Sequence, residues 1–463
     1  MAVTHWECGE ATQTTACVVV RCNSTESVTV VAAGQTKTAN CDTSVKDGNA
    51  RVDFTGLSAG QTYPYTINGT AAGTLRTAPV EGVYPFWVAL SSCWALASVD
   101  VMAYALVTEP ATAESRDTPA IALQRELVRN LKAAFGLGDQ VYKDGGGTHY
   151  GYVCQPMNGS TLSLFQDVTE QRQFQRARKL QGGLKSLIRA VPWYEQNDDH
   201  DYDPDNACPA SLAYAQRVFG GGTSDADRIA WATACQTALD DWQLGQPTRR
   251  GSSNYFKVRL GNIEFFVTDL ISGRDDYSAT PSSSKRLMSA AQEEQFLADI
   301  AASTAAFKCW LSTKQFISSI GRNGDGWYNL DGGTSEGYEH QLGRILADSR
   351  IPRGGFFSVT GDEHIRSDMF IPADRFATGG VAVSQISAGP ATIEPITDPN
   401  DGLTYRAGVV SKARDTSGLG NRDENNYVCL RVLADRVERY RFGSRNGLVY
   451  EGYISTADNA VRR

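Results

Sequence analysis

The hydrophobic pattern along the chain changes character near residue 80. Before it, apolar runs are short: ACVVVRC, SVTVVAAG, ARVDFTGL and TYPYTING. They are rich in residues that favour strands, recur roughly every ten residues, and are separated by polar Gly, Asn and Ser turns. That spacing predicts a small all-β sandwich over residues 1–80. The segment APVEGVYP, residues 78–85, carries two prolines and marks the boundary.

From residue 86 onward strands and helices alternate. FWVALSS is a continuous apolar run suited to a strand buried on both faces. IALQRELVRNLKAAF places Leu123, Leu127, Leu131 and Phe135 four apart, which predicts an amphipathic helix. GNIEFFVTDL and FKCWLSTKQFI read as core strands, and AAQEEQFLADIAAST between them as a helix with Phe296, Leu297 and Ile300 on one face. SEGYEHQLGRILADS repeats the helical pattern, and GGFFSVTGDEH gives one more strand running into a polar tip. This order predicts an α/β sandwich domain over residues 83–395. YVCLRVLADRVERYRFGSRNGLVYEGYIS predicts a three-stranded meander, so residues 396–463 are expected as a C-terminal β unit packed on that domain. In such sheets, ligands bind beyond the carboxyl ends of the strands.

Composition narrows the function. Lys and Arg number 44 against 52 Asp and Glu, a net charge of −8. Nucleic acid is therefore not an expected partner, because phosphate backbones select a basic surplus. Asp100 and several serines interrupt the most apolar stretch, residues 83–107, so a buried strand and helix are expected there and no transmembrane segment. The N-terminus MAVTHWECGEAT has neither a charged nor an apolar signal region, so no signal peptide is expected. Ten cysteines are too few for a disulfide scaffold. Cys8, Cys17, Cys22 and Cys41 cluster in the first 41 residues, where one or two bridges are an expectation.

The candidate chemistry sits in polar tips. YEQNDDHDYDPDNA packs five aspartates (Asp198, Asp199, Asp201, Asp203, Asp205) around His200. Carboxylates this close repel one another unless a cation outweighs the repulsion. The bland alternative is a solvated acidic loop with Asx turns. An EF-hand is excluded: counting from Asp199, the sixth position is Pro204 and the twelfth Ala210. Three strand-like runs end in further ligand types: VALSSCW at Cys93, FGLGDQVYKD with Asp139 and Tyr142, and SVTGDEH with Asp362 and His364. GLSAG, residues 56–60, is set aside as a nucleophile elbow because a strand rather than a helix follows.

GLGDQVYKD, NDDHDYDPDN, TDLISGRDD and TGDEH, in that order, resemble the PhoD-type alkaline phosphatases and phosphodiesterases, a branch of the calcineurin-like metallophosphoesterases. FTGLSAGQTYPYTINGT resembles the fibronectin-like domain that precedes their catalytic domain, and NGDGW their Asp-x-Trp loop. The likeness touches most of residues 50–375. It departs from the general metallophosphoesterase blocks at Cys93, Tyr142, Asp199 and Asp362, which stand where other ligands are usual. The chain has five histidines, His5, His149, His200, His340 and His364, too few for a His-rich metal pair.

The resemblance implies a metallophosphoesterase-type β-sandwich flanked by helices. It also implies a phosphoric mono- or diester hydrolase with a two-metal site, the metals roughly 3.5–4 Å apart, and a metal-activated hydroxide. Metal ligands implied are Cys93, Asp139, Tyr142, Asp198, Asp199, Asn206, Asp325, Asp362 and His364. Thiolate and phenolate suit Fe3+, and the carboxylates suit Ca2+. His200 would bind the phosphate or protonate the leaving oxygen, and Arg274 would hold the phosphate by a bidentate fork. Expected substrates are phosphate esters, with phospholipid headgroups and cell-wall phosphate polymers among the candidates. The competing expectation is a virion-associated or cell-surface binding protein with a degenerate fold of this kind, one component of a larger assembly.

Overall fold

The computed structural model describes residues 3–93, 101–110, 119–140, 165–180, 182–202, 206–317, 326–328, 337–362, 369–373, 379–388, 410–411, 426–443, 447–459 and 461–462. The first seven strands are β1 (Val3–Ala11), β2 (Thr15–Cys22), β3 (Glu26–Ala32), β4 (Gln35–Cys41), β5 (Asn49–Thr55), β6 (Thr62–Ile67) and β7 (Thr70–Arg76). They form two antiparallel sheets, ordered β1-β2-β5 and β4-β3-β6-β7. Strand β3, ESVTVVA, alternates and turns Val28, Val30 and Ala32 inward, where they meet Val18, Val20 and Phe54. Cys8, Cys17, Cys22 and Cys41 are free buried thiols, which corrects the expected bridges. They pack as small hydrophobes, and burial pushes the Cys8 thiol up to about 12.

The remaining strands are β8 (Phe86–Ser91), β9 (Leu131–Leu137), β10 (Trp193–Gln196), β11 (Phe256–Leu260), β12 (Ile263–Val267), β13 (Phe307–Ser312), β14 (Phe356–Thr360), β15 (Met369–Ile371), β16 (Val383–Ser387), β17 (Val410–Ser411), β18 (Asn426–Val432), β19 (Arg436–Gly443), β20 (Gly447–Ser455) and β21 (Val461–Arg462). They build two seven-stranded sheets, β10-β9-β8-β18-β19-β20-β21 and β11-β12-β13-β14-β16-β15-β17. The sheets share one core, in which Val88, Leu90, Phe135 and Val428 of the first meet Phe265, Leu311, Phe357 and Val359 of the second. Central strands such as β12, IEFFV, and β14, FFSVT, are buried along their whole length. That is the pattern of parallel strands covered on both faces.

Helices cover the outer faces. Leu127, Leu184, Leu187 and Ile188 pack on Trp87, Ala89 and Ala134 of the first sheet. Phe296, Leu297 and Ile300 of the helix Ala290–Ala302, with Leu342 and Ile345 of the helix Glu339–Ala347, pack on Phe266, Trp310 and Phe356 of the second. The expected helix–sheet–sheet–helix sandwich is what forms. One expectation is corrected: the helix runs Pro119–Asn130, and Leu131 and Phe135 belong to β9. LKAAFGL is a short apolar run, and such runs satisfy a helical and a strand period equally well.

A chain of buried charges joins the N-terminal strands to the α/β body. Lys179 Nζ lies 3.0 Å from Glu7 Oε2 of β1 and 3.0 Å from Glu195 Oε2 of β10. Arg178 Nη1 donates to Glu195 Oε1 at 3.0 Å, and His5 Nε2 lies 3.3 Å from Glu7 Oε2. Asp47 is held by Arg21 and by Arg176 from the helix Val168–Lys179. Among the described residues, no helix is long and apolar enough to cross a membrane.

Candidate metal centre

Parallel pairing sets the site. β8 pairs parallel with β9 and β9 with β10, while β12, β13, β14 and β16 pair parallel in turn. Their carboxyl ends therefore converge, and the chain leaves them through Cys93, Asp139, Asp198–Asp199, Lys314 and Asp362. Asp139, Asp198, Asp199 and Asp362 each offer a carboxylate oxygen, and these oxygens all lie within 4.8 Å of one another. Cys93 Sγ is 3.5 Å from Asp139 Oδ2 and 3.5 Å from the Asp362 carbonyl.

Close backbone packing makes this convergence. A Cβ on Gly138 would sit 2.4 Å from Asp198 Cβ, and a Cβ on Gly361 would sit 2.4 Å from the Leu137 carbonyl. Only a bare backbone lets the two sheets' strand ends approach so closely. The Cys93 N–H donates to the Gly138 carbonyl at 3.3 Å, and the Gly361 N–H to the Thr313 carbonyl at 3.1 Å. Asp201 braces the acidic loop: its carboxylate accepts from the N–H of Gln140 at 3.0 Å and of Asp198 at 2.9 Å. It thus faces backbone donors, and the short helix Asp199–Tyr202 keeps Asp199 on the other side, toward the cluster.

Charge crowding is visible in the acid–base balance. Burial pushes the carboxyls of Asp139 and Asp198 well above the usual range, with Asp199 and Asp362 adding to the rise. Burial would raise Asp199 as well, but the charges of Lys314, His200 and Arg274 outweigh it and hold that carboxyl low. Lys314 closes the arrangement. Its Nζ lies 2.7 Å from Asp199 Oδ1, 2.8 Å from Asp362 Oδ1 and 3.2 Å from Asp198 Oδ2.

The structure brings five of the expected site residues together: Cys93, Asp139, Asp198, Asp199 and Asp362. His200 lies close enough for its charge to act on Asp139 and Asp199. Asn206 donates its backbone N–H to Asp199 Oδ2 at 2.6 Å. Arg274 is fully buried and its Nε donates to the Ala207 carbonyl at 2.7 Å, so it grips the loop that follows the acidic helix. Its charge also acts on Asp199, so the guanidinium stands beside the acidic cluster. Tyr142, Asp325 and His364 lie outside the described residues. Lys314 and Asp201 were not expected. The signal for Lys314 was available: it is a lysine two residues past the buried strand FKCWLS, at the strand end where acidic tips gather.

The donor set fits a cation. Three of the four carboxylates are at most 1% exposed, and Asp198 Oδ1 accepts no hydrogen bond among the described residues. Carboxylate oxygens with one thiol are ligands for hard to intermediate ions.

The model of the PhoD-like phosphatase family matches residues 121–439. A solved structure described as the structure of PhoD aligns with a TM-score of 0.70 at 16% identity, covering 99% of this chain and 91% of that one. That likeness shows the fold. A second, a Salmonella typhimurium protein described as an alpha amylase, aligns at 10% identity over 78% of this chain and 66% of that one, with a TM-score of 0.19. No curated protein matches the chain.

Proposed function

Because the chain belongs to the PhoD-like phosphatase family, we propose that it is a metal-dependent hydrolase of phosphoric mono- or diesters acting at the Asp139 cluster. The observation that carries this is the convergence of four carboxylates from three strand ends, drawn from both sheets, to within 4.8 Å of one another. Asp139 and Cys93 would hold one metal ion, and Asp198, Asp199 and Asp362 surround a second cation position. A metal bound there polarises the phosphoryl oxygen and acidifies water. Iron and calcium, the ions the resemblance implies, are the ones to supply first.

The chain's own groups would do the rest. His200, on the short helix beside the cluster, would hydrogen-bond the phosphate and protonate the leaving oxygen. Arg274 would fix the loop 206–207 and, through it, Asp199. Asp201 would keep the acidic helix in register with Gln140. The buried donors would exclude water from the carboxylates' inner faces, which strengthens every charge interaction there. Extended diesters such as lipid headgroups and cell-wall phosphate polymers fall within this proposal.

The test is hydrolysis of p-nitrophenyl phosphate and of its bis-ester by protein supplied with iron and calcium, with and without chelator. Turnover of either ester, abolished by chelator and restored by metal, supports the reading. No turnover of either with both metals supplied sinks it and leaves a binding role for the fold.

A further inference from the structure

We propose that Lys314 is a resident cation of this centre. It takes the place of one of the two metal ions expected from the sequence, so that the protein carries one metal ion per chain. The inference rests on the metal-hydrolase reading above and refines its stoichiometry.

The ammonium is placed as a metal would be. Its Nζ lies within 3.2 Å of an oxygen on each of Asp198, Asp199 and Asp362. The ammonium donates to Asp199 Oδ1 and Asp362 Oδ1 and forms an ion pair with Asp198. The side chain is 0% exposed, and so is Asp198. A lysine on a mobile surface stem could swing aside for a second ion, but this one is anchored at both ends. Ser312 Oγ accepts from Trp327 Nε1 at 3.2 Å and donates to the Lys314 carbonyl. The Gly361 N–H donates to the Ser312 and Thr313 carbonyls. The lysine's backbone is therefore tied to the strand end that carries Asp362.

Charge supports the same count. A second divalent ion would need the oxygens Lys314 already occupies and would meet its positive charge at contact distance, with little solvent to screen it.

The test is metal content per folded chain. Full-length protein and the variants Lys314→Gln and Lys314→Arg are saturated with iron and calcium, freed of excess metal, and measured by elemental mass spectrometry. One ion per chain in the unsubstituted protein and in Lys314→Arg, rising to two in Lys314→Gln, is the expected result. Two ions in the unsubstituted protein, or one in both it and Lys314→Gln, overturns the proposal while leaving the metal-hydrolase reading intact. No bound ion in any form overturns that reading itself. If Lys314→Gln does not fold, anomalous diffraction from the unsubstituted protein decides. A single peak beside Asp139, with Nζ still bonded to Asp199 and Asp362, supports the assignment; a peak between those two carboxylates removes it.

Discussion

Four residues at the centre, Cys93, Asp139, Asn206 and Asp362, have positive φ, between 52° and 69°. Non-glycine residues pay about 1 kcal/mol or more for that conformation. The hydrogen bonds and close packing around each strand end must offset it. Gly138 shows how little room remains. Gly138→Ala would place a methyl against Asp198 in a backbone at φ +77. We expect about 1–3 kcal/mol of lost stability, read by urea unfolding, and a larger proportional fall in kcat/KM because the two acidic tips are driven apart. Asp139→Asn separates function from stability. It removes a carboxyl whose ionised form burial disfavours. Melting in chelator should therefore shift upward, while metal content falls and hydrolysis drops at least about 100-fold. A melting point that falls in chelator would contradict the like-charge account. At this scale the sequence marks the acids plainly and Lys314 only faintly. Gly-Asp after an apolar run marks a ligand at a strand end. A lone lysine in the same place looks like a solvated cap until the sheet order shows what it faces.

Elements with unbroken apolar character or strong caps were legible. The helix Ala290–Ala302 has its Ser289 cap and its buried Phe296, Leu297 and Ile300 written locally. Strand β9 reads as a continuation of the helix because its apolar and small residues, broken only by Lys132, directly follow a true helix. The charge chain from β1 to β10 was not legible at all, since Glu7, Lys179 and Glu195 are far apart in sequence. It has a pH signature. Burial raises the Glu7 carboxyl, but Lys179 and His5 outweigh it and bring it down to about 2. Its folded value thus lies below its unfolded one. The stabilisation is complete above the ordinary 4.5 and is lost as pH falls through about 2. Burial also lowers His5, which adds a loss of stability as pH drops below 6.5. Glu7→Gln should cost about 3–5 kcal/mol at pH 7, because it strands a buried ammonium. It should also flatten the melting curve's dependence on pH between 4.5 and 2. An unaltered acid slope in that variant would show that Glu7 does not carry it.

The whole molecule is tied together through one long-range pairing. β18 lies antiparallel against β8, with Leu90 opposite Val428, so the last described strands share a sheet with the strand that delivers Cys93. Local pattern predicted a meander at this end but not its partner, since strand order depends on contacts that no window of sequence contains. Removing residues 426–463 takes away no site residue, yet it opens one side of β8 and strips Val428, Leu430 and Val432 from the shared core. We expect that truncated chain to lose cooperative unfolding and to bind no metal, measured by circular dichroism and elemental analysis. A folded, metal-loaded truncation would show that the pairing is dispensable. The same connection bears on biosynthesis. Translation delivers β8 long before β18, so a nascent polypeptide holds β8 with an open edge until β18 emerges. A complete metal centre is thus expected only after β18 has emerged, and a message interrupted before it should yield an inert product rather than a partially working one.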